Sequence, residues 1–566
     1  MNKNKLKIFA TSSRTVLLSS VKERLEKLKV DAPQSLPQKF ENGILIDDIS
    51  FTEGAKHKQR DELINAVNQI GKEQIIEEIS YTWFNRFVAI YFMQVNGYLK
   101  YGFDILPSAS SSRLEPEVVV NIHKANIPNL DKTRAIELSN AGKFNELYNY
   151  ILLLVCNDLH TQLPFLFEKL DDYSELLIPS DLLIEGSIIQ NIAKETDVED
   201  WKEVEIIGWL YQFYITEKKD EIFASKKKID KDSIGPATQL FTPKWIVKYM
   251  VENSVGKIWV QSNQNDLKLS ENWKYFLKDE AEVEIVQIKK PEDLTVIDPS
   301  MGSGHILVYA FDVLYQIYQS QGYQKKDIVR SILKNNLFGI DIDARATQLA
   351  SFALMMKACE YDKNIINEHI KLNLIAIQET NSFSKPDSKD YPILNRLYEL
   401  FVDALEYGSI LTSSLSIDDI EKAKQELLKA ESKHDMFSQI LISQYKPIIE
   451  QTELLSKNYV IAITNPPYMG GGNMSPKLSK YVKDYYPDSK SDLFSVFIER
   501  CLEFAVSKGL VSMITMHSWM FLSSFEILRK RIIENHEILS MVHLGARAFE
   551  EIGGEVVQTT SFVIRK

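Results

Sequence analysis

The sequence predicts an α/β protein, in which an α-helical domain precedes a domain built on a parallel sheet. Up to about residue 230, apolar side chains recur at three- and four-residue spacing, which is typical of helices. Beyond it, short apolar runs alternate with helical stretches, as in sheets whose parallel strands are joined by helices. The lysine-rich stretch 225–239, with Gly235 and Pro236, separates the two patterns. We therefore predict domains at 1–230 and 231–566.

Helical patterns account for most of the first domain. The aromatic side chains of its third predicted helix cover more than one face, which indicates a helix buried among others. The segment EVEIIGWL is better interpreted as helix than as part of a nuclease core. The predicted helices are 15–29, 57–80, 81–93 and 200–216.

Short apolar runs fit the buried strands of the second domain, because strands covered on both faces are continuously apolar. They are 294–298, 337–341, 459–464 and 510–516. Before the third run, the stretch 380–455 is longer than one crossover helix requires, and it carries charged residues at helical spacing. We predict a helical insertion at about 380–455.

Composition indicates a globular protein of the cytoplasm. Of the 566 residues, 45% are hydrophobic and 25% are charged, which argues against disorder. No apolar run approaches the ~20 residues that a membrane span needs, and the N-terminus lacks the apolar core of a secretory signal. Cys156, Cys359 and Cys501 lack the spacing of zinc sites or disulfide frameworks. We expect a reducing compartment, no membrane contact and no metal site.

The first motif that carries chemistry is LTVIDPSMGSG at 294–304. A strand ends at Asp298 and is followed by Pro299 and a glycine-rich turn that opens a helix. Gly302 and Gly304 allow positive φ angles and let a ligand approach the backbone closely. A helix N-terminus at the carboxyl end of a strand suits a nucleoside-type ligand. Alone, the pattern also fits a tight turn without a ligand.

A second strand, in LFGIDID at 337–343, ends in the acidic residue Asp341. An acidic side chain at this position is placed to accept hydrogen bonds from ribose hydroxyls. The alternative is that Asp341 caps the following helix. Asp343, directly before Ala344, is the better candidate for that cap.

The third motif, VIAITNPPYMGGGN at 460–473, is the most specific one. Prolines donate no amide hydrogen, so the Asn465 side-chain oxygen and the Pro466 carbonyl can face one external donor, while Pro467 stiffens the turn. Two such acceptors suit the exocyclic amine of a base, because they favour the pyramidal geometry in which its lone pair attacks a sulfonium methyl. Tyr468 offers a flat face for an extruded base. A purely structural proline turn is the alternative.

In this order the three motifs resemble the amino-group (adenine-specific) DNA methyltransferases of the gamma motif order. The resemblance implies S-adenosyl-L-methionine as the cofactor and a Rossmann-like methyltransferase domain with an antiparallel C-terminal hairpin. This chain departs from the family pattern at Met301, where a cysteine or another small residue is more usual. It departs again after the third strand, in NLIAIQETN, which lacks the expected aspartate and leaves Gln378 or Glu379 for the cofactor adenine. The cofactor-binding residues it implies in these motifs are Asp298, Pro299, Gly302, Gly304 and Asp341.

Flanking segments extend this resemblance. QLFTPKWIVKYMV is similar to the family's upstream cofactor motif, which implies that Thr242 lies near the methionine carboxylate. SDLFSVFIERCLEF resembles the motif whose aromatic residue, here Phe497, packs beside the cofactor. The segment 543–566 resembles the closing hairpin, which implies that Phe549 faces Tyr468 across a flipped-out adenine.

Over its whole length, the chain resembles the methyltransferase of bacteriophage-exclusion (BREX, PglX-type) systems. The segments that carry this resemblance are 81–99, 304–318 and 465–494. It implies double-stranded DNA and other phage-defence proteins as partners. Members of that family carry target-recognition and further domains after the methyltransferase core, and we expect this chain to lack that C-terminal part. The net charge of −12 means that DNA contact must rely on local basic patches.

We therefore predict a site-specific DNA methyltransferase that transfers a methyl group from S-adenosyl-L-methionine to the exocyclic amine of a flipped-out adenine. The setting is phage defence (BREX-type) or restriction-modification. One alternative is a protein-glutamine or RNA methyltransferase, because a glutamine amide presents a similar planar amine to NPPY. Another is a non-catalytic, cofactor-binding scaffold subunit of a defence complex.

Overall fold

The computed structural model divides the chain into two compact units. The first unit is Met1–Glu217 with Ile366–His369, and the second is Lys218–Ile365 with Ile370–Lys566. The domain boundary near residue 230 stays a prediction about independent folding. The structure describes all residues except 31–37, 41–42, 47–48, 53–54, 109–114, 169–172, 180, 226, 232, 279–283, 414, 547 and 550–557.

Most of the N-terminal region is helical, as the sequence predicts. A small antiparallel sheet of β1 Gln38–Phe40, β2 Gly43–Ile46 and β3 Ile49–Thr52 accompanies the helices. None of the helices that the structure describes is long and apolar enough to cross a membrane. The helices here are α1 Lys3–Lys27, α2 Ala55–Ile70, α3 Lys72–Val95, α4 Glu117–Val120, α5 Lys132–Asn140, α6 Phe144–Gln162, α7 Ile188–Glu195 and α8 Glu205–Ser225.

The predicted boundary between the helices 57–80 and 81–93 is wrong. The chain breaks instead at Gly71, between α2 and α3. Gly71 has φ +91°, a conformation that favours glycine and cannot continue a right-handed helix. Residues 72–95 therefore form one continuous helix, which joins two segments that the apolar pattern alone separates.

Aromatic packing fills the core of the first unit, as the dense aromatic pattern on α3 predicts. Trp83 and Phe87 are fully buried, and their ring centroids lie 5.4 Å apart. Phe84 lies 4.4 Å from Tyr214 of α8. A fully buried large apolar side chain contributes about 1.5–3 kcal/mol relative to an exposed one. This cluster therefore stabilises the packing of α3 against α8.

The second unit is built on a sheet that, within the described residues, has seven strands in the order β6-β5-β4-β7-β8-β10-β9. The pairs from β6 through β8 are parallel, and β10 runs antiparallel to both β8 and β9. This is the predicted Rossmann-like arrangement with an antiparallel C-terminal hairpin. The strands are β4 Val296–Asp298, β5 Leu337–Asp341, β6 Asn373–Ala376, β7 Tyr459–Thr464, β8 Ala505–Met516, β9 Glu537–Gly545 and β10 Thr559–Arg565.

Helices such as α12, α14 and α20 pack against the sheet, and four others, α15 to α18, form the insertion between β6 and β7. One core joins the sheet to the insertion and to α20, through buried residues such as Ile297, Phe338 and Ile448. The helices of this unit are α9 Ile234–Thr238, α10 Lys244–Val251, α11 Lys257–Ser262, α12 His305–Ser320, α13 Lys325–Ser331, α14 Ala344–Tyr361, α15 Pro392–Leu400, α16 Ala404–Tyr407, α17 Ile417–Glu431, α18 Met436–Ser456, α19 Pro476–Tyr485, α20 Leu493–Phe504 and α21 Glu526–Asn535.

The strand order places a crevice at the carboxyl ends of β4 and β7. From β4 the chain passes to β5 and β6 on one side, and it then returns to β7 on the other side. In open α/β sheets, ligands bind where the strand order reverses in this way, outside the carboxyl ends of the strands. Asp298 ends β4 and Asn465 follows β7, so the fold brings the first and third sequence motifs together at this crevice.

Candidate active site

A cleft of about 880 Å³ opens at this crevice. That volume includes space open to solvent. Its walls come from the segment around α9, the loop after β4, the end of β5, the segment after α16, the turn after β7 and the start of α20. Of the residues predicted from the sequence, those along the cleft are Thr242, Asp298, Pro299, Gly302, Asp341, Asn465, Pro467 and Phe497.

The two predicted glycines of the loop after β4 have different surroundings. Gly302 has φ +53°, and a side-chain carbon there would come within 2.9 Å of Gln239 Nε2 at the cleft wall. Gly304 has φ +76° and precedes α12, and a side-chain carbon there would come within 2.9 Å of Ala350 Cβ in α14. Gly304 therefore lets two helices approach each other, whereas Gly302 keeps the cleft wall open.

Met301, the departure from the family pattern, fits because the neighbouring strand lacks a side chain. It is 5% exposed, and its backbone N–H donates to the carbonyl of Ile340 in β5 (3.1 Å). A side-chain carbon on Gly339 would overlap the Met301 sulfur and lie 2.8 Å from Leu374. The larger residue in the loop is thus matched by a glycine in the adjacent strand.

Asp298 places a buried carboxyl at the floor of the cleft. Its Oδ1 accepts from Thr464 Oγ1 (2.6 Å) and from the backbone N–H of Ser300 (3.2 Å). Its Oδ2 is buried without a hydrogen-bond partner in the described part of the chain. Burial raises the pKa of Asp298 to about 7, the two hydrogen bonds oppose this, and the nearby Asp341 adds to it. An unpartnered buried acceptor of this kind suits a ligand that brings a donor or a positive charge.

Asp341 holds the glycine-rich loop against the end of β5. Its Oδ2 accepts from the Gly302 N–H (2.8 Å) and its Oδ1 from the Asp343 N–H (2.8 Å). Burial raises the pKa of Asp341 to about 6, against these backbone hydrogen bonds. The cap of α14 is Asp343, whose Oδ1 accepts from the Arg345 N–H (2.9 Å). Asp341 is therefore free of the capping role that the sequence left open.

Asn465 directs one side-chain atom inward to the protein and leaves the other without a partner. Its Nδ2 donates to Thr242 Oγ1 (3.1 Å) and to the carbonyl of Leu240 (3.4 Å). These two acceptors fix the orientation of the amide. Its Oδ1 is buried and meets no donor among the described residues. The residue predicted to accept from a target amine thus carries an unused acceptor beside the cleft, while Pro466 is buried behind it.

Tyr468 is anchored at the end of β8. Its hydroxyl donates to the carbonyl of Ile514 (3.2 Å), and its half-buried ring meets Phe494 edge-on at 6.2 Å. Asp492, to which the sequence analysis assigned no role, joins this turn to α20, because its Oδ1 accepts from the N–H groups of Met469 (3.0 Å) and Phe494 (3.2 Å). An aspartate directly before an apolar helical run is the signal that identifies such a cap.

Two predicted aromatic residues lie in different surroundings. Phe497 of α20 is 5% exposed and lines the cleft. Phe549 is also 5% exposed, but residues 547 and 550–557 beside it are outside the described part of the chain. Its stacking opposite Tyr468 stays a prediction.

Two residues that the sequence analysis gave no role also border the cleft near Thr242. The ring of His305, the first residue of α12, stacks on Phe241 at 4.5 Å with an angle of 30°. Gln239 lies at the wall opposite Gly302, and its backbone carbonyl accepts from Lys219 Nζ (2.8 Å). A histidine directly after the glycine-rich turn is the signal that points to the first of these positions.

Two family models match this chain. The model described as N-6 DNA Methylase matches residues 230–392. The model described as Eco57I restriction-modification methylase matches residues 335–549. Together they cover the cleft, the insertion and all strands of the sheet except β10.

Curated relatives extend the similarity to the whole chain. It is 36% identical to the adenine-specific methyltransferase BrxX of Escherichia coli O9:H4 (strain HS), with 100% of this chain and 50% of that protein covered. It is 38% identical to the adenine-specific methyltransferase PglX of Lacticaseibacillus casei (strain Zhang), with 100% and 51% covered. The type II restriction enzyme and methyltransferase RM.Eco57I of Escherichia coli is 24% identical over 60% of this chain and 29% of its own length.

The chain spans about half the length of the first two relatives. The resemblance seen in its motifs is confirmed by these matches. By sequence, this chain is similar over its whole length to adenine-specific methyltransferases, and it contains the segments that the two DNA methylase family models match.

Proposed function

We propose that the chain carries the catalytic site of an adenine-specific DNA methyltransferase. Its reaction would be methyl transfer from S-adenosyl-L-methionine to the exocyclic amine of a flipped-out adenine. The observation that carries the proposal is Asn465, whose Nδ2 is anchored by Thr242 and whose buried Oδ1 has no partner in the described chain. A buried acceptor left unused costs stability, so its retention beside the cleft fits a donor supplied by a substrate.

The residues along the cleft fit the cofactor. Asp298 Oδ2 offers an unused acidic acceptor, and Asp341 lies where a ribose would bind. Thr242, Pro299, Gly302 and Phe497 would complete its binding site, with Gly302 allowing close approach. When bound, S-adenosyl-L-methionine supplies an electrophilic methyl group on sulfonium. Two carboxyls in a buried cleft favour a cationic ligand over a neutral one.

The target amine would be held by the acceptors that follow β7. Asn465 Oδ1 and the Pro466 carbonyl would each accept one amine hydrogen, which favours the pyramidal nitrogen whose lone pair attacks the methyl group. These dipoles are fixed before the reaction, so the transition state gains from them without reorganisation. Tyr468, anchored through its hydroxyl, and Phe549 would hold the extruded base between their rings.

Double-stranded DNA, and a phage-defence or restriction-modification setting, are proposed as the context. The support is that two of the relatives are named BrxX and PglX and a third is named a restriction enzyme and methyltransferase. We place the reaction in the cytoplasm, because Cys156, Cys359 and Cys501 are all buried thiols, as expected in a reducing compartment.

Labelled methyl transfer tests this function against its alternatives. The chain is incubated with S-adenosyl-L-methionine carrying a tritiated methyl group in an extract that contains DNA, RNA and protein. Label that becomes soluble on DNase treatment supports the proposal. Label released by RNase or by protease supports an RNA or protein-glutamine methyltransferase, and cofactor binding without any transfer supports the scaffold reading.

A matched pair of variants ties the result to this site. Asn465→Ala removes the proposed acceptor and is expected to abolish the DNase-sensitive label. Asn473→Ala makes the same substitution at an exposed position in the glycine-rich turn that follows, and it should leave the label unchanged. Equal labelling by both variants contradicts the role of Asn465.

A further inference from the structure

The cleft has a wall that none of the sequence motifs covers. Tyr407, Gly408 and Ser409, at the end of α16 in the insertion, lie along the cleft together with Asp341 and Ile342. A side-chain carbon on Gly408 would lie 3.7 Å from Ile342 Cδ1, so the insertion meets the cleft beside the end of β5. The methionine end of the cofactor is proposed to lie near Thr242, so a ribose bound at Asp341 would leave the purine for this wall.

The segment after the third strand makes other contacts. The backbone N–H of Gln378 donates to Gln451 Oε1 (2.9 Å), and its carbonyl accepts from Gln451 Nε2 (3.0 Å). Glu379 Oε1 accepts from Lys231 Nζ (2.6 Å). Among the residues that the structure describes, neither Gln378 nor Glu379 lines the cleft. The insertion, and not the segment after β6, therefore borders the cleft beside Asp341.

Hydrogen bonds fix the insertion against the glycine-rich loop. Ser409 Oγ donates to the carbonyl of Pro299 (2.5 Å), the residue directly after Asp298. The buried Arg500 of α20 donates from Nε to the Ser409 carbonyl (3.0 Å) and from Nη2 to the Leu411 carbonyl (3.1 Å). Gly408 has φ +59° and ψ −144°, a backbone region that is nearly restricted to glycine. The wall is thus held in one conformation from both sides.

Tyr407 is held by an aromatic stack that leads away from the cleft. Its ring stacks on Tyr481 of α19 at 4.4 Å with an angle of 26°. Tyr481 in turn stacks on Tyr485 at 4.4 Å with an angle of 25°, and Tyr485 is 60% exposed. Tyr481 therefore supports Tyr407 from behind, and Tyr485 forms the far, exposed end of the same stack. An aromatic side chain held in this way presents a fixed apolar surface to a ligand.

We propose that Tyr407, Gly408 and Ser409 form the purine wall of the cofactor pocket, with Tyr407 contacting the purine and Ser409 acting as a positioning residue. The proposal rests on the proposed function, since it requires S-adenosyl-L-methionine as the ligand. It assigns nucleoside recognition to the insertion, which no family motif in this chain includes.

Calorimetry with two probes tests whether Tyr407 contacts the purine. S-adenosyl-L-homocysteine carries both ends of the cofactor, and adenosine carries only the nucleoside end. Removing an aromatic platform under a base costs enough affinity for about a tenfold change. Tyr407→Ala is therefore expected to lower the affinity for both probes about tenfold. Tyr407→Phe, which keeps the ring, should have affinities within about twofold of those of the unsubstituted chain.

Tyr485→Ala is the matched control, because it removes a tyrosine from the exposed end of the same stack. It should leave both affinities unchanged. An unsubstituted chain that binds neither probe contradicts the proposed function itself. If the unsubstituted chain binds both probes, two results refute the proposal that Tyr407 contacts the purine. In the first, Tyr407→Ala binds the probes with the same affinities as the unsubstituted chain, and in the second it loses affinity only for S-adenosyl-L-homocysteine.

A second pair of variants tests the positioning role of Ser409. Ser409→Ala removes one hydrogen bond to Pro299 and should lower the affinities for both probes by the same factor, about threefold. Ser416→Ala removes the side-chain cap of α17 in the same insertion, and it should lower the melting temperature without changing either affinity. If Ser409→Ala lowers only the melting temperature, the residue is structural and the positioning role is refuted.

Discussion

The ends of β4 and β7 each carry a buried oxygen acceptor, but one belongs to an ionisable side chain and the other to a neutral one. Asp298 and Asn465 each have one side-chain atom bound to a threonine hydroxyl and one buried oxygen without a partner in the described chain. Asp298 is an acid whose pKa burial raises to about 7, whereas the amide of Asn465 does not titrate. An ionisable acceptor suits a cationic cofactor, and a neutral acceptor suits the neutral amine of a base.

A hydroxyl pair connects these two ends. Ser300 Oγ lies 2.6 Å from Thr464 Oγ1 and 3.3 Å from the backbone carbonyl of Asn465, and these two atoms are the acceptors for its one hydrogen. Thr464 Oγ1 itself donates to Asp298. The proposed cofactor acceptor and the proposed target acceptor therefore share one hydrogen-bond network. Such networks hold polar groups in fixed positions, which is what transition-state stabilisation by prearranged dipoles requires.

Asn465→Ala should produce the largest effect and should separate the two ends most sharply. It is expected to lower the rate of methyl transfer by about 10²–10³-fold, because a lost prearranged polar contact typically costs this much. The affinity for S-adenosyl-L-homocysteine, measured by calorimetry, should stay within about threefold. A variant that transfers methyl groups normally but binds the cofactor poorly would reverse the assignment of the two strand ends.

Asp298→Asn tests the acceptor at the end of β4 that is proposed to bind the cofactor. Its expected effect on affinity is smaller than the effect of Asn465→Ala on the rate. A hydrogen bond to a charged group contributes about 1.5–3 kcal/mol, so the affinity for S-adenosyl-L-methionine should fall by about 10- to 100-fold. S-adenosyl-L-homocysteine lacks the sulfonium charge and should lose less affinity. The ratio of the two dissociation constants is the measurement. An unchanged ratio would show that the charge of Asp298 does not act on the cofactor.

A pH series probes the same difference without a substitution. Below a pH of about 7 the cofactor-free cleft holds a proton on Asp298, and this proton must leave before a cation binds. The affinity for S-adenosyl-L-methionine should therefore fall with pH below 7, by about tenfold per unit for one proton. Asp298→Asn should flatten this slope. Stronger binding at lower pH would contradict the assignment.

The raised pKa also affects the stability of the cofactor-free chain. Between the ordinary value of 3.8 and the folded value of about 7, the folded state binds more protons at Asp298 than the unfolded state does. The contribution of Asp298 to the free energy of unfolding should therefore decrease as pH rises through this window. Thermal melts at several pH values, compared with Asp298→Asn, measure this contribution directly. A contribution that increases with pH over the same window would contradict the raised pKa.

Tyr468→Phe should produce the smallest effect at the β7 end. It removes the hydrogen bond to Ile514, a loss of about 0.5–1.5 kcal/mol in the free energy of unfolding, but it keeps the ring proposed to stack on the base. Methyl transfer should stay within a few-fold, whereas Tyr468→Ala should weaken base capture by about 1–3 kcal/mol. If both variants transfer equally slowly, the hydroxyl and not the ring carries the function.

Strands could be predicted where a buried apolar run ends in a polar residue. The observed β5 and β7 have the predicted bounds, because both are buried runs that end at the cleft. The observed β8 begins at Ala505, five residues before the predicted start at Leu510, because Ala505 pairs with Tyr459 before a register shift. Pairing with a neighbouring strand extended this strand, and the apolar pattern does not record such pairing.

The parts of the site that could not be predicted from the sequence depend on contacts between distant segments of the chain. The motifs predicted that Asp298, Asp341 and Asn465 lie close together, since the carboxyl ends of parallel strands meet at one sheet edge, and all three line the cleft. Tyr407 lies in an insertion with no motif, and its position depends on stacking with Tyr481, 74 residues later in the chain. The match between Met301 and Gly339 likewise depends on two segments that pack together only in the folded protein.

The proposed function requires that the acceptors after β7 direct methyl transfer to the adenine amine. The most direct measurement is mass spectrometry of nucleosides from the DNA of a host without adenine methylases, with the protein expressed from its complete reading frame. We expect N6-methyl-2′-deoxyadenosine with the unsubstituted protein and with Asn473→Ala, and none with Asn465→Ala. Methylated cytosine in its place, or an equal yield of methylated adenosine from Asn465→Ala, would contradict it.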